Sequence, residues 1–332
     1  MRFGFLIASL ALLAACAPSA ADAPIPEQWR AIEVQSRPVA FGEPDLGRLR
    51  FRGGLDLTST DASFGGLSGL EVLDDNRFIA ESDDGHWFEG RLVLSSESAL
   101  TGVAEMRTAL MRDERGAPFE SKQSADSEDL TQLPDGRFAV SFEQTQTIRI
   151  YDLNRDGPFG AALAGPPLAG VDRLPRNAGL EAMTALADGT LVVGAEGGDE
   201  PTTPIWLAPL NAHEPAPIAA HFPLSGGYSL TSLDRMPNGD LVALERFYAP
   251  VIGARARIVR IPASEAHASE APMHVEQLAQ LGPPHPVDNF EGVSAVRMPN
   301  GVTRLYIVSD NNFSARQRTY LFAFDVIGEA RP

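Results

Sequence analysis

Apolar and polar residues alternate with a period of two over much of the chain, in short runs broken by Asp-Asn, Asp-Gly or Asn-Gly. Such runs predict half-buried strands. The breaks predict tight hairpin turns, because Asn, Asp and Gly tolerate the positive φ that a two-residue turn demands. The fullest example is Phe64-Gly-Gly-Leu-Ser-Gly-Leu-Glu-Val-Leu-Asp-Asp-Asn-Arg-Phe-Ile-Ala-Glu-Ser-Asp-Asp-Gly85. Its grammar of strand, turn and strand returns at Asp126–Glu143, Gly179–Glu196, Ser229–Arg246 and Asn289–Asp310.

Superposing the turns aligns Ser68, Glu128, Glu181, Thr231 and Glu291 just before each first strand. It also aligns Asp83, Glu143, Glu196, the Glu245/Arg246 pair and Asp310 at the end of each second strand. The first column is spaced by 60, 53, 50 and 60 residues. A period near fifty residues, carrying about four strands, is the signature of an all-β propeller with one repeat per blade. Five copies give five blades. A degenerate sixth could lie between Trp29 and Thr58 or between Ser95 and Phe119. The last copy ends at Thr319–Asp325, so the missing outer strand is expected from Leu46–Leu57, closing the ring and protecting its edges.

The propeller domain is expected over residues 41–332. Before it, Met1–Cys16 has a basic start, an apolar run too short for a permanent span, and small residues at its end, as in a secretory signal. Leu13-Ala-Ala-Cys16 resembles the bacterial lipoprotein box. The expectation is therefore a signal peptide over 1–15, lipidation of Cys16 and an Ala/Pro-rich flexible tether over 16–40. That places the chain in the cell envelope, attached to the outer membrane only through its lipid. Cys16 is the sole cysteine, which excludes disulfides and a thiol nucleophile from the folded part.

The net charge of −17 and a single lysine, Lys122, argue against nucleic acid or an anionic membrane as partner, since both need a basic footprint. A monomer acting on a small molecule is the simplest expectation.

Residues recurring at one point of each blade must ring the propeller axis, and here the ring is acidic or hydroxylic twice over. Asp83, Glu128, Asp129, Glu143, Glu181, Glu196, Glu291 and Asp310 should converge at one mouth of the channel. Crowded carboxylates repel unless a cation or a raised pKa relieves them, and hard oxygen ligands suit Ca²⁺. The plainer alternative is that Ser and Glu at the blade tops hydrogen-bond neighbouring backbone.

Gly66-Leu-Ser-Gly-Leu-Glu, Ala80-Glu-Ser-Asp-Asp-Gly, Asp126-Ser-Glu-Asp-Leu, Gly179-Leu-Glu-Ala-Met, Asn289-Phe-Glu-Gly-Val and Val308-Ser-Asp-Asn-Asn312 together resemble the phytase-like family of bacterial extracytoplasmic proteins. The likeness covers roughly Phe41 to Val326. It implies a β-propeller and a phosphoester or ester hydrolase. In that reading Glu128, Glu181, Glu291 and Asp310 hold calcium and activate water. The propeller phytases hold substrate phosphate with several lysines and arginines; with lysine nearly absent, that task falls here to Arg246, Arg255, Arg257, Arg316, Arg318 or His86. Arg255 and Arg257 read rather as an exposed strand face.

Other motifs are weaker. Asp152-Leu-Asn-Arg-Asp-Gly157 matches half a calcium loop, but Leu163 stands where the closing carboxylate belongs, so it reads as a turn. Ser68 lacks the strand-to-helix elbow of a nucleophilic serine. Of the six histidines none shows metal spacing, and only His86, beside Asp83-Asp84-Gly85, is retained as a candidate acid or phosphate contact. Phe247-Tyr-Ala-Pro-Val-Ile252 is a candidate surface or lid. Three functions remain open: a calcium-dependent phosphoester hydrolase, a noncatalytic lipid-anchored envelope propeller, and a metal-dependent lactonase.

Overall fold

The computed structural model describes residues 28–175, 178–197 and 200–328. The leader, Cys16 and the first part of the tether lie outside the described residues.

Five sheets follow one another around an axis. From the axis outward, blade 1 contains Leu67–Val72, Arg77–Ser82, His86–Leu94 and Leu100–Leu110. Blade 2 contains Ser127–Gln132, Phe138–Phe142, Thr147–Tyr151 and Leu163–Ala164. Blade 3 contains Leu180–Ala185, Thr190–Ala195, Thr202–Pro209 and Ile218–Pro223, and blade 4 Ser229–Arg235, Leu241–Ala249, Gly253–Ile261 and Glu276–Leu281. Blade 5 takes Asn289–Arg297, Thr303–Asp310 and Thr319–Val326 from the end of the chain. Its fourth strand is Leu49–Ser59, from the beginning. The expected closure by an N-terminal strand is thus present, with Thr319 to Val326 paired along Leu57 to Leu49.

Among the described residues no sixth blade forms. Leu100–Leu110 is the outer strand of blade 1, and Val34–Pro38 adds a further strand outside Leu49–Ser59. The later part of the segment expected as a flexible tether over 16–40 is paired. Arg30–Ala31 pairs with Thr108 and Arg107 of blade 1, and Val34–Pro38 pairs with Leu55–Ser59. The Ala/Pro-rich run ends near Gln28, so these two short edge pairings lie beyond it.

The core lies between blades. Five apolar clusters fill the five blade-to-blade seams, so period-2 strands that are apolar on both faces follow directly from the ring. Trp87 and Ile79 of blade 1 meet Phe138 and Val140 of blade 2, and Ile148 and Ala139 meet Met183 and Val193 of blade 3. Val192 and Phe222 meet Leu233 and Val259, Leu244 and Ile258 meet Phe290 and Phe322, and Tyr306 and Val308 return to Leu70 and Phe88. A chain of seams that ends where it began has no free apolar face.

Every innermost strand breaks register at the same place. In blades 3, 4 and 5 the unpaired residue is Glu181, Thr231 or Glu291, each lying between two paired neighbours. In blades 1 and 2 two residues, Ser68-Gly69 and Glu128-Asp129, occupy the break. A β-bulge re-aims its side chain out of the normal alternation. Here it marks the first acidic column, five times.

Candidate active site at the acidic mouth

At the end of the channel where the inner strands begin, the bulge residues meet the ends of the second strands. Glu128 interacts with Glu181, Glu291, Asp126 and Glu143. Glu181 faces Glu196, Glu291, Glu143 and Arg246, and Glu291 faces Asp310, Asp83 and Arg246. Of the eight carboxylates expected at the mouth, seven are there: Asp83, Glu128, Glu143, Glu181, Glu196, Glu291 and Asp310. Asp126, one residue before the inner strand of blade 2, joins them; the column alignment passed over it because only blade 2 has an acid there.

Two cations answer this charge. Arg246 donates through Nη2 to Glu196 (2.8 Å) and through Nη1 to Asn289 Oδ1 (3.1 Å), with its Nε 3.9 Å from Glu291. Asn289 in turn donates to Glu291 (2.6 Å). The only lysine of the chain, Lys122, donates to Asp83 (2.5 Å) from the short helix Lys122–Ala125, which Ser121 caps by accepting from the Ser124 amide. In the ambiguous fourth repeat it is therefore Arg246 that faces the mouth. Glu245 is buried and forms an ion pair with Arg257, which also lies over the Tyr228 ring.

The electrostatics follow from burial and crowding. Desolvation, then neighbouring carboxylates, push Glu128 and Glu181 well above the ordinary range. The same causes raise Glu291 to about 8, with Asp310 the main like charge, and Asp310 to about 7 against the pull of the Asn312 amide. Burial also raises Asp83, Asp126, Glu143 and Glu196, with Lys122 and Arg246 working against it at Asp83 and Glu196 respectively. Burial disfavours the charge of Arg246, but Glu291, Glu196 and Glu181 together raise its pKa.

This donor set fits an oxygen-ligated dication. Asp126, Glu128 and Glu143 each offer a carboxylate oxygen within 4.8 Å of the other two, a separation that bonds of about 2.4 Å to one ion can span. Asp83 Oδ1 is buried without a hydrogen-bond partner.

Two expected members are elsewhere. Asp129 lies deeper in the channel, 0 % exposed, where its Oδ2 accepts from Met183 N (2.8 Å), Leu233 N (3.2 Å) and Ser232 Oγ (3.1 Å). Ser232 Oγ accepts from Val293 N. Asp129 is a knot joining blades 2, 3, 4 and 5, with every lone pair it needs already engaged. His86 has as its charged neighbours Asp84, Arg30 and Asp61, none of them in the cluster, and burial lowers its pKa. It starts the third strand of blade 1, one strand further from the axis than Asp83.

The remaining sequence candidates are structural or peripheral. Ser68 Oγ reaches only the Gly66 carbonyl, at 3.4 Å. Asp152 accepts from Arg155 N in an outer turn of blade 2, as its turn reading expected. Arg255 donates to the carbonyls of Ile252 and Ala254, bracing a hairpin whose Tyr248, Val251 and Ile252 are exposed. Sequence reasoning missed Glu81, fully buried under the mouth with its pKa raised to about 8 by desolvation and hydrogen-bonded to Ser127.

The family model described as Phytase-like, esterase-like activity of phytase, matches residues 62–313. No curated protein matches the chain at a significant level. Among solved structures, a gluconolactonase from Xanthomonas campestris is similar at 9 % identity and a TM-score of 0.44, over 89 % of this chain and 99 % of that one. The PQQ-bound form of an aldose sugar dehydrogenase from Streptomyces coelicolor is similar at 12 % identity and a TM-score of 0.41, over 91 % of this chain and 100 % of that one. At such identity and overlap these likenesses bear on neither substrate nor mechanism.

Proposed function

The chain belongs to the Phytase-like family, and on that premise we propose that the acidic mouth is the active site of a calcium-dependent ester hydrolase, with phosphoesters the foremost substrates. One observation carries this reading: eight carboxyl groups crowd one mouth, answered only by the guanidinium of Arg246 and the ammonium of Lys122 among their described neighbours. Such a concentration of unfavourable charge is the usual mark of a functional site.

Calcium on Asp126, Glu128 and Glu143 would supply Lewis acidity and bring a water within reach of deprotonation near neutral pH. Arg246 is already oriented by Glu196 and Asn289, and its buried Nε has no hydrogen-bond partner. It is suited to hold an anionic substrate oxygen, since a preset guanidinium loses little freedom on binding. Glu291, at about 8, keeps its proton at neutral pH, and Asn289 holds one of its oxygens. A carboxyl so poised can give that proton to the departing oxygen. The same reading takes the enzyme to be extracytoplasmic, with Cys16 as its lipid anchor.

The test is a panel of p-nitrophenyl phosphate, p-nitrophenyl acetate and a δ-lactone, assayed with calcium and with chelator. At least one should be hydrolysed only with calcium, with kcat/KM falling on the alkaline side as Glu291 loses its proton. Arg246→Met should lower kcat/KM by about 10²-fold or more. A folded, calcium-loaded parent inactive on the whole panel would instead make this a noncatalytic propeller. His86→Gln, at a residue whose charged neighbours Asp84, Arg30 and Asp61 lie outside the cluster, should leave calcium affinity within about twofold in calorimetry.

A further inference from the structure

Beside the mouth, between the outer part of blade 5 and the start of blade 1, lies a second cavity of about 330 Å³ lined by Asp56, Asp61, Asn311, Phe313, Arg318 and Thr319. Thr319 is 1 % exposed, yet its Oγ1 has no hydrogen-bond partner, and the buried Oδ1 of Asp56 has none either. Buried polar atoms without partners are rare, and two of them lining one cavity point to an absent ligand.

The aromatic wall is built with unusual care. Asn312 and Phe313 both have φ of 48°, a conformation an aromatic residue seldom adopts. Three contacts hold them there: Asp310 accepts from Asn312 N (2.6 Å), and Asn311 Oδ1 accepts from Phe313 N (3.0 Å) and Gly66 N (3.2 Å). Gly65 and Gly66 leave room for the ring. A Cβ on Gly66 would stand 2.6 Å from Phe313 and 2.2 Å from Asp83 Oδ1, so ring and carboxylate share one small space at the edge of the mouth. Despite this packing Phe313 remains 44 % exposed.

We propose that this cavity binds a neutral polyhydroxylated ring, of monosaccharide type, with its apolar face on Phe313 and hydroxyls on Thr319 Oγ1 and Asp56 Oδ1. A cation would meet Arg318, which lies 3.6 Å from the other Asp56 oxygen; an anion would meet Asp56 and Asp61. Hydroxyl groups both donate and accept, and so suit this mixed lining. The size matches a small ligand pocket. That the ring presents an ester to the neighbouring carboxylates rests on the hydrolase reading; the binding itself does not.

The test is saturation-transfer NMR on the folded domain with methyl α-D-glucoside and myo-inositol as probes. At least one should bind. Phe313→Ala should weaken it about tenfold, as loss of a stacking contact does. Thr319→Val, nearly isosteric, should weaken it about fivefold while keeping the melting temperature. Phe313→Leu serves if the alanine variant misfolds. Binding of neither probe, or binding indifferent to both substitutions, overturns the inference. Probe binding in a protein that binds no calcium would leave the inference standing and remove the hydrolase reading.

Discussion

Asp129→Ala should destabilise the protein by roughly 3–9 kcal/mol, because it strands three buried donors at about 1–3 kcal/mol each. The side chain is inaccessible, and the N–H groups of Met183 and Leu233 and the hydroxyl of Ser232 all point at one of its oxygens. These donors belong to the inner strands of blades 3 and 4, and Ser232 passes the connection on to Val293 of blade 5. Removing the carboxylate therefore loosens the centre of the ring at several seams together. Water has little access to replace it. Urea unfolding should show a lower midpoint at an unchanged slope. Ser68→Ala, at a bulge position with one long hydrogen bond, should change the midpoint by well under 1 kcal/mol. A loss below about 1 kcal/mol for Asp129→Ala would show that the knot is not what closes the channel.

Without divalent cations, stability should be greatest near pH 4 and fall by about 4 kcal/mol towards pH 8, at about 1.4 kcal/mol per unit of pKa difference. The sign follows from the direction of the shifts. Glu291 rises from 4.5 to about 8 and Asp310 from 3.8 to about 7 on folding. The folded state binds their protons more tightly than the unfolded one. Their contribution is therefore complete below the unfolded values and is lost as pH climbs through the folded ones. The two groups repel each other, so their effects share one penalty and do not simply add. Groups of opposite sign, such as Asp61 held down by Arg30, act only at the acid end. Calcium at a hundred times its dissociation constant should restore about 2.7 kcal/mol at pH 8. Glu128→Gln should stabilise the cation-free protein at pH 8, since burial and then Glu181, Glu291, Asp126 and Glu143 oppose ionisation of the carboxyl, a penalty an amide does not carry. Thermal melts across pH, with calcium and with chelator, read both effects. A melting temperature flat from pH 5 to 8 without cations would contradict the account.

Much of this architecture is legible in the sequence because blade structure is local. Each Asp-Gly or Asn-Gly turn sets the register of the two strands it joins, and equal register from blade to blade is enough to place Glu128, Glu181 and Glu291 around one axis. The closure by Leu49–Ser59 follows from a repeat left one strand short. What alternation cannot convey is the bulge. Glu128 and Asp129 are neighbours, and the break in register sends one to the mouth and the other into the channel as a structural knot. Depth along the axis has no sequence signal. Neither has the isolation of His86, which sits three residues after Asp83 but one strand further out. Asp126 and Asn289 escaped notice because they belong to single blades, and a repeat reveals only what recurs. Lys122 could have been found by its rarity: a chain that spends one lysine places it on Asp83.

The central claim is that the mouth is built for a divalent cation. Calorimetric titration of the mature domain with calcium, beside a Glu128→Gln/Glu291→Gln variant, tests it most directly. The parent should show a single strong site, with protons released on binding because the carboxyls start partly protonated, and the variant should lose it. A well-folded parent that takes up no calcium at pH 8, or a variant that binds it as tightly, would contradict the claim.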